Sequence, residues 1–246
     1  MFYIESNGFA ATTWLAKTLN ATGIIDCSHG SRNFEAREAL GSASDLGEDA
    51  LLAQLRSHER SGDKVCGAIH GIFPPEFRER ILAQGGLYFL AVRHPVTRIF
   101  SCHGWMKNQI AGGRALPFDS AIQYCLQTLG NQDFGFRDIL FAAAILHIIN
   151  FDYAYISHLI QQQSAFEIIQ MEHYTSDETY LREIIKRINP NYSDSANPLL
   201  SEQAINRHNS DNADLSSLDA TQRRLLDNLL QNPELKKIYN ALGYQY

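Results

Sequence analysis

Apolar and polar positions along the chain fall into alternating blocks: short apolar runs, each followed by a helix-length amphipathic stretch. Phe2–Glu5 is the first run and predicts a strand. Ser6–Asn7–Gly8 turns the chain, and a helical pattern starts at Ala11 and lasts to about Asn20, with Gly23 as its C-terminal cap. Ile24–Cys27 predicts a second strand, and a helix follows from about Asp49 to Arg60. Lys64–His70 (KVCGAIH) reads as a strand ending at a histidine. Pro74 and Pro75 open a helix to about Gln84, where proline suits the first turn. Leu87–Val92 (LYFLAV) is apolar throughout, as expected of a strand buried on both faces. A helix follows Pro95, and further helices are predicted at Phe118–Leu129 and Arg137–Gln163. Phe166–Met171 (FEIIQM) predicts another buried strand. Ser176–Ile188 is a helix with Ser176 as N-cap, and Asp219–Leu230 and Pro233–Leu242 are terminal helices.

Strands alternating with helices predict an α/β fold, three-layer αβα around a central, mostly parallel sheet. Nothing reads as a linker, so residues 1–246 are expected to form a single domain. Ligands of such sheets bind beyond the carboxyl ends of the strands. That rule places the Gly8–Thr13 turn, His70, Arg93 and Glu172 on one rim.

Composition narrows the function classes. The formal net charge is −6, so the chain lacks the basic bias of a nucleic-acid binder. Cys27, Cys66, Cys102 and Cys125 are widely spaced, which gives neither metal-ligand spacing nor a disulfide framework. The apolar stretch Ile139–Ile160 contains His147, Asn150, Asp152 and His158, and suits a core helix better than a membrane span. With no signal-peptide pattern at the N-terminus, a cytoplasmic, reducing location is expected.

Two segments are compatible with anions. The first is Gly8–Phe9–Ala10–Ala11–Thr12–Thr13, a small-residue loop entering a helix N-terminus, where unpaired N–H groups and the helix dipole favour negative charge. It is equally an ordinary β-turn-α corner. The second is Arg93 with Ser101 in the following helix, a guanidinium fork and a hydroxyl. Together they suit a ligand with phosphates at two ends of a nucleoside.

The order Ala11–Thr12–Thr13–Trp14 after a first strand, then Arg93–His94–Pro95–Val96–Thr97–Arg98–Ile99–Phe100–Ser101 after a later one, resembles the sulfotransferases that use 3′-phosphoadenosine 5′-phosphosulfate (PAPS), in their bacterial, carbohydrate-sulfating branch. The likeness spans about residues 1–105. It is weaker at Phe166–Glu172 and at the terminal Leu242–Gly243–Tyr244. The resemblance implies a P-loop NTPase-like sulfotransferase fold and PAPS as co-substrate, with no required metal. It implies that Gly8, Phe9, Ala10, Ala11, Thr12 and Thr13 hold the 5′-phosphosulfate, and that Arg93 and Ser101 hold the 3′-phosphate. Trp14 is either the aromatic that packs on adenine or a core residue. Arg98 either assists the 3′-phosphate site or is a solvated helix residue. His70 stands where relatives carry the general base, for which a neutral imidazole suits neutral pH. His29, Glu35 and Glu172 are alternatives for that role.

The chain departs from the family pattern at Phe9, where many relatives have Lys or Arg. Lys17, Arg32, Arg37 or Arg207 would have to neutralise the leaving phosphate in its place. Arg207, in Asn206–Arg207–His208, is the stand-in for the family's closing cation. Two rival readings remain. A P-loop nucleotide kinase lacks support because G-x-x-x-x-G-K-[ST] is absent, and a non-catalytic nucleotide-binding relative draws on Phe9. The expected acceptor is a small molecule or glycan. Ser28–Gly47 and His103–Pro117 would line its pocket: His, Arg, Asn and Gly there suit a sugar, and Trp105 and Met106 suit an aromatic or lipid-linked acceptor. The oligomeric state is left open.

Overall fold

The computed structural model describes residues 1–6, 8–29, 47–61, 63–69, 75–114, 119–130, 134–157, 166–193, 199–200 and 215–245. In chain order the elements are β1 (Phe2–Glu5), α1 (Thr12–Ala21), β2 (Ile25–His29), α2 (Glu48–Ser61), β3 (Val65–Ile69), α3 (Pro75–Leu82), β4 (Leu87–Val92), α4 (Pro95–Ala111), α5 (Asp119–Leu129), α6 (Phe136–Phe151), a π-helical turn (Asp152–Ile156), β5 (Glu167–Gln170), α7 (Met171–Tyr174), α8 (Glu178–Ile188), a 3-10 turn (Leu215–Ser217), α9 (Ala220–Gln231) and α10 (Pro233–Ala241). They fall into two compact units. The first comprises Met1–Arg93 and Ala165–Asn206, the second His94–Ser164 and Arg207–Tyr246.

The first unit is the α/β layer structure. Its described strands run in the order β2-β3-β1-β4-β5, and every pairing is parallel. Side chains alternate across a strand, so each strand feeds two cores. On one face Phe2 and Ile4 of β1, Ile69 of β3, Phe89 and Ala91 of β4 and Ile169 of β5 pack with α1 (Trp14, Leu15, Leu19) and α8 (Leu181, Ile184, Ile185, Ile188). On the other, Tyr3, Cys66, Ala68 and Tyr88 pack with α2 (Leu51, Leu52, Leu55) and α3 (Phe77, Ile81). These are the two helical layers of a three-layer αβα fold. Gly67 sits in register with Phe2, and a Cβ there would fall 2.3 Å from the Phe2 ring, so the position takes only glycine while that ring keeps its place.

Element boundaries differ from the sequence pattern where side chains are polar or local caps decide. β2 continues two residues past Cys27, through Ser28 and His29, which pair with Ala68 and Ile69. It is the outer strand of the sheet, where polar residues are tolerated. The N-cap of α8 is Asp177, not Ser176: its carboxylate accepts from the N–H groups of Thr179 and Tyr180 at 2.9 and 3.2 Å.

The second unit is helical. α4, α5 and α9 all pack on α6, and α10 packs on the π-helical turn that continues α6. Ile139 to Ile145 of α6 are buried without a break, as an apolar stretch at the centre of a bundle should be. No helix among the described residues is long and apolar enough to cross a membrane. All four cysteines are free and buried, and burial pushes the Cys102 thiol up to about 12 despite the nearby Arg98.

Candidate functional site

The carboxyl ends of β1, β2 and β4 meet on one rim of the first unit, and the loop between β1 and α1 is its centre. That loop turns through left-handed backbone at Gly8 (φ 85°), Phe9 (φ 58°) and Ala11 (φ 51°). Glycine adopts this conformation freely, whereas each L-residue with a Cβ pays roughly 1–2 kcal/mol for it. Such strain persists only where the surroundings over-determine the backbone, and here they do so through the carbonyl groups. Arg93, just past the end of β4, donates from Nη1 to the Phe9 carbonyl at 3.1 Å. The Tyr174 hydroxyl, from the last residue of α7, donates to the Ala10 carbonyl. Burial, reinforced by the Glu172 carboxylate and opposed by Arg93, pushes the Tyr174 phenol well above its ordinary range, so it stays a protonated donor. The Gly8 N–H donates to Ser6 Oγ at 3.2 Å.

The start of α1 is chemically open. Its N-cap is Ala11, which offers no side-chain acceptor, and no acidic residue lies in the first turn. The positive end of the helix therefore has no compensating side chain of its own. The Thr12 and Thr13 hydroxyls stand there, and His29 reaches both: its Nε2 is 3.1 Å from Thr12 Oγ1 and 3.3 Å from Thr13 Oγ1.

The predicted site residues separate accordingly. Gly8, Phe9, Ala10, Ala11, Thr12, Thr13, Arg93 and His29 are brought together on this rim. Trp14 is 6% exposed and stacks on Tyr174 with ring centroids 6.3 Å apart and planes 12° apart, so of its two roles the structure displays core packing. Lys17 is exposed on α1. Glu172 follows the carboxyl end of β5 by two residues and lies in the first turn of α7. β3 ends at Ile69, in register with Ile4 and His29; His70 lies outside the described residues, as do Arg32, Glu35, Arg37 and Arg207.

Ser101 and Arg98 belong to α4 in the second unit, and both are buried. Arg98 is not a solvated helix residue. It forms an ion pair with Asp152 at 2.8 Å, its guanidinium lies 5.5 Å from the centre of the Phe151 ring, and Asp152 accepts a second hydrogen bond from the Tyr239 hydroxyl at 2.9 Å. A carboxylate that is 0% exposed needs such partners to stay charged. Met106 and His103, expected to line an acceptor pocket, are core residues of the second unit, and Trp105 is half-buried. Most of Ser28–Gly47, and the end of His103–Pro117, lie outside the described residues.

Sequence reasoning missed Tyr174 as a tether of the loop and Asp152 as the partner of Arg98. Asp152 did carry a signal: an acid inside a long apolar run requires a buried cation. Among the described residues no group of three or more His, Cys, Asp or Glu side chains is placed to hold a metal ion.

No family model matches the sequence, and no curated protein matches it. Among solved structures, the chain is similar to the crystal structure of a sulfotransferase from Alicyclobacillus acidocaldarius, with a TM-score of 0.54 at 12% identity, covering 100% of this chain and 96% of that one. A sulfotransferase domain from the curacin biosynthetic pathway is also similar, with a TM-score of 0.43 at 15% identity, covering 100% of this chain and 98% of that one. The α/β architecture with its parallel sheet is thus the sulfotransferase fold.

Proposed function

We propose that this chain is a sulfotransferase that moves a sulfuryl group from PAPS to a hydroxyl or amine of an acceptor, with a carbohydrate or glycoconjugate as the preferred class. The observation that carries the reading is the β1–α1 corner. It is a strained loop tied down through its carbonyls by Arg93 and Tyr174, leading into a helix start that displays two threonine hydroxyls and no acid. A phosphate-bearing donor fits this chemistry, because helix N-terminal N–H groups and hydroxyls suit anionic oxygens and nothing in the first turn repels them. The loop from Gly8 to Thr13 would hold the 5′-phosphosulfate, and Arg93 and Ser101 the 3′-phosphate, as in the family the two motifs resemble.

PAPS, when bound, supplies an activated sulfuryl group whose transfer leaves adenosine 3′,5′-bisphosphate. The protein's share is to hold the anions, orient the acceptor and take its proton. His70 is assigned the proton-accepting role, because it follows the strand whose last residue pairs with β1 and β2 on this rim. The Thr12 and Thr13 hydroxyls and the start of α1 bear on the charge that collects on the leaving phosphate, the term that usually dominates such catalysis. This reading places the protein in the cytoplasm and asks for no metal.

Transfer of labelled sulfate from PAPS to a panel of acceptors tests the activity. His70→Ala should keep affinity for adenosine 3′,5′-bisphosphate and lose most turnover; a fully active variant moves the base elsewhere. Phe9 favours a second reading, a nucleotide binder without catalysis, because it occupies the family's cation position. Tight bisphosphate binding with no transfer to any acceptor would decide for it. Preference for ATP over the bisphosphate in calorimetry would decide for a kinase.

A further inference from the structure

We propose that His29 is the positioning residue of the anion loop, setting the Thr12 and Thr13 hydroxyls so that both present their hydrogens to an anionic oxygen. The inference rests on the reading of this rim as the donor-nucleotide site and assigns it one more working part. Both threonine oxygens lie within hydrogen-bond distance of the same ring nitrogen, at 3.1 and 3.3 Å from His29 Nε2.

A hydroxyl has one hydrogen to give and lone pairs to receive. If Nε2 is the unprotonated nitrogen, it draws a hydroxyl hydrogen to itself and turns that oxygen's lone pairs towards any arriving anion. If Nε2 carries the hydrogen, it is a forked donor to both oxygens, and both hydroxyl hydrogens are released to point elsewhere. An anion at the start of α1 interacts favourably with the second state and unfavourably with the first. Binding therefore selects the Nε2–H form, and the imidazole in turn fixes the two donors.

The structural support for this role is the strand. β2 continues through Ser28 to His29 by pairing with Ala68 and Ile69, so the ring is carried by the sheet and not by a free loop. Groups that orient a binding site work best from such rigid elements. Phe9 brings no charge of its own to the loop, so the orientation of the two neutral hydroxyl donors beside it matters to an anion there.

The test is calorimetric binding of adenosine 3′,5′-bisphosphate, and separately of inorganic phosphate, to the full chain. His29→Ala should weaken both by about tenfold or more, the scale of a charge-assisted hydrogen bond. His29→Gln, whose amide can donate from nearly the same place, should stay within about threefold of the wild type. In a Thr12→Val/Thr13→Val background, His29→Ala should add almost nothing. The proposal is overturned if His29→Ala binds like the wild type, if Gln is no better than Ala, or if the loss persists in the double-valine background, which is how a merely structural histidine would behave. A wild type that ignores the bisphosphate but binds phosphate with the same His29 dependence would sink the nucleotide reading and keep this one. Binding of neither ligand would sink both.

Discussion

Arg93 Nη1 lies 3.1 Å from the Phe9 carbonyl oxygen, so the residue that follows β4 holds the loop that leaves β1. The two strands are parallel neighbours, with Glu5 in register with Leu90, and their carboxyl ends necessarily open on the same rim. Arg93 is only 6% exposed there.

Replacement of Arg93 by Ala should weaken binding of adenosine 3′,5′-bisphosphate by about 1.5–3 kcal/mol, the value of a charge-assisted contact. Arg93→Lys should recover little of this, because an ammonium lacks the planar fork of donors that a guanidinium presents. Isothermal calorimetry of the two variants checks it, and unchanged affinity in Arg93→Ala would detach Arg93 from the nucleotide.

Ala11→Gly should raise stability by about 1 kcal/mol, since glycine adopts the left-handed φ of 51° without the Cβ penalty. Ala11→Val should lower it by more than that. Urea midpoints of both variants against the wild type decide the matter. A destabilised Ala11→Gly would mean that the loop is not strained at this residue.

Loss of the acid in the second unit should be severe. Asp152→Ala leaves the Arg98 guanidinium buried without its carboxylate and the Tyr239 hydroxyl without its acceptor, and should cost about 3–5 kcal/mol. Arg98→Met combined with Asp152→Leu should recover a large part of the loss, because no charge is then left uncompensated. Chemical denaturation of the single and double variants measures the difference.

Stability should fall on acidification. Burial, with Lys107 and Arg137 adding to it, lowers His103 to about 4, and burial with Arg98 lowers His147 to about 4. An unfolded histidine titrates near ~6.5, so between that pH and about 4 the unfolded chain binds protons that the folded one refuses. The stabilising contribution of the two neutral rings is complete above the unfolded value and is lost as pH drops towards the folded one. Melting temperatures should decline across this window, and His103→Leu, which keeps an apolar neighbour for the Phe141 ring 5.3 Å away, should flatten the decline. An unchanged slope would remove His103 from the account.

What could be read from sequence alone follows the range of the interactions. β4 matches its prediction at both ends because six successive apolar residues leave no other place for a strand buried on two faces. The polar end of β2 was invisible, since Ser28 and His29 are held by pairing with β3 and not by their own pattern. The N-terminus of α8 was misplaced by one residue because Ser176 and Asp177 are both competent caps and only geometry chooses between them. The anion loop was legible as a small-residue turn before a helix. Its tethers were not: Phe9 meets Arg93 across 84 positions, and Ala10 meets Tyr174 across 164. Arg98 looks like a surface residue in its own helix, and its burial is settled by an acid 54 positions further along.

The distance from Ala10 to Tyr174 also bears on biogenesis. A chain growing from its N-terminus makes β1, the loop and α1 first, yet the hydroxyl that fixes the Ala10 carbonyl is not synthesised until the second segment of the first unit appears. Contacts so far apart form late, after the closure entropy of the intervening polypeptide has been overcome. Nascent or truncated chains that stop short of α7 can therefore hold all five strands and still lack the finished corner, which is completed only when the helix after the last strand is in place.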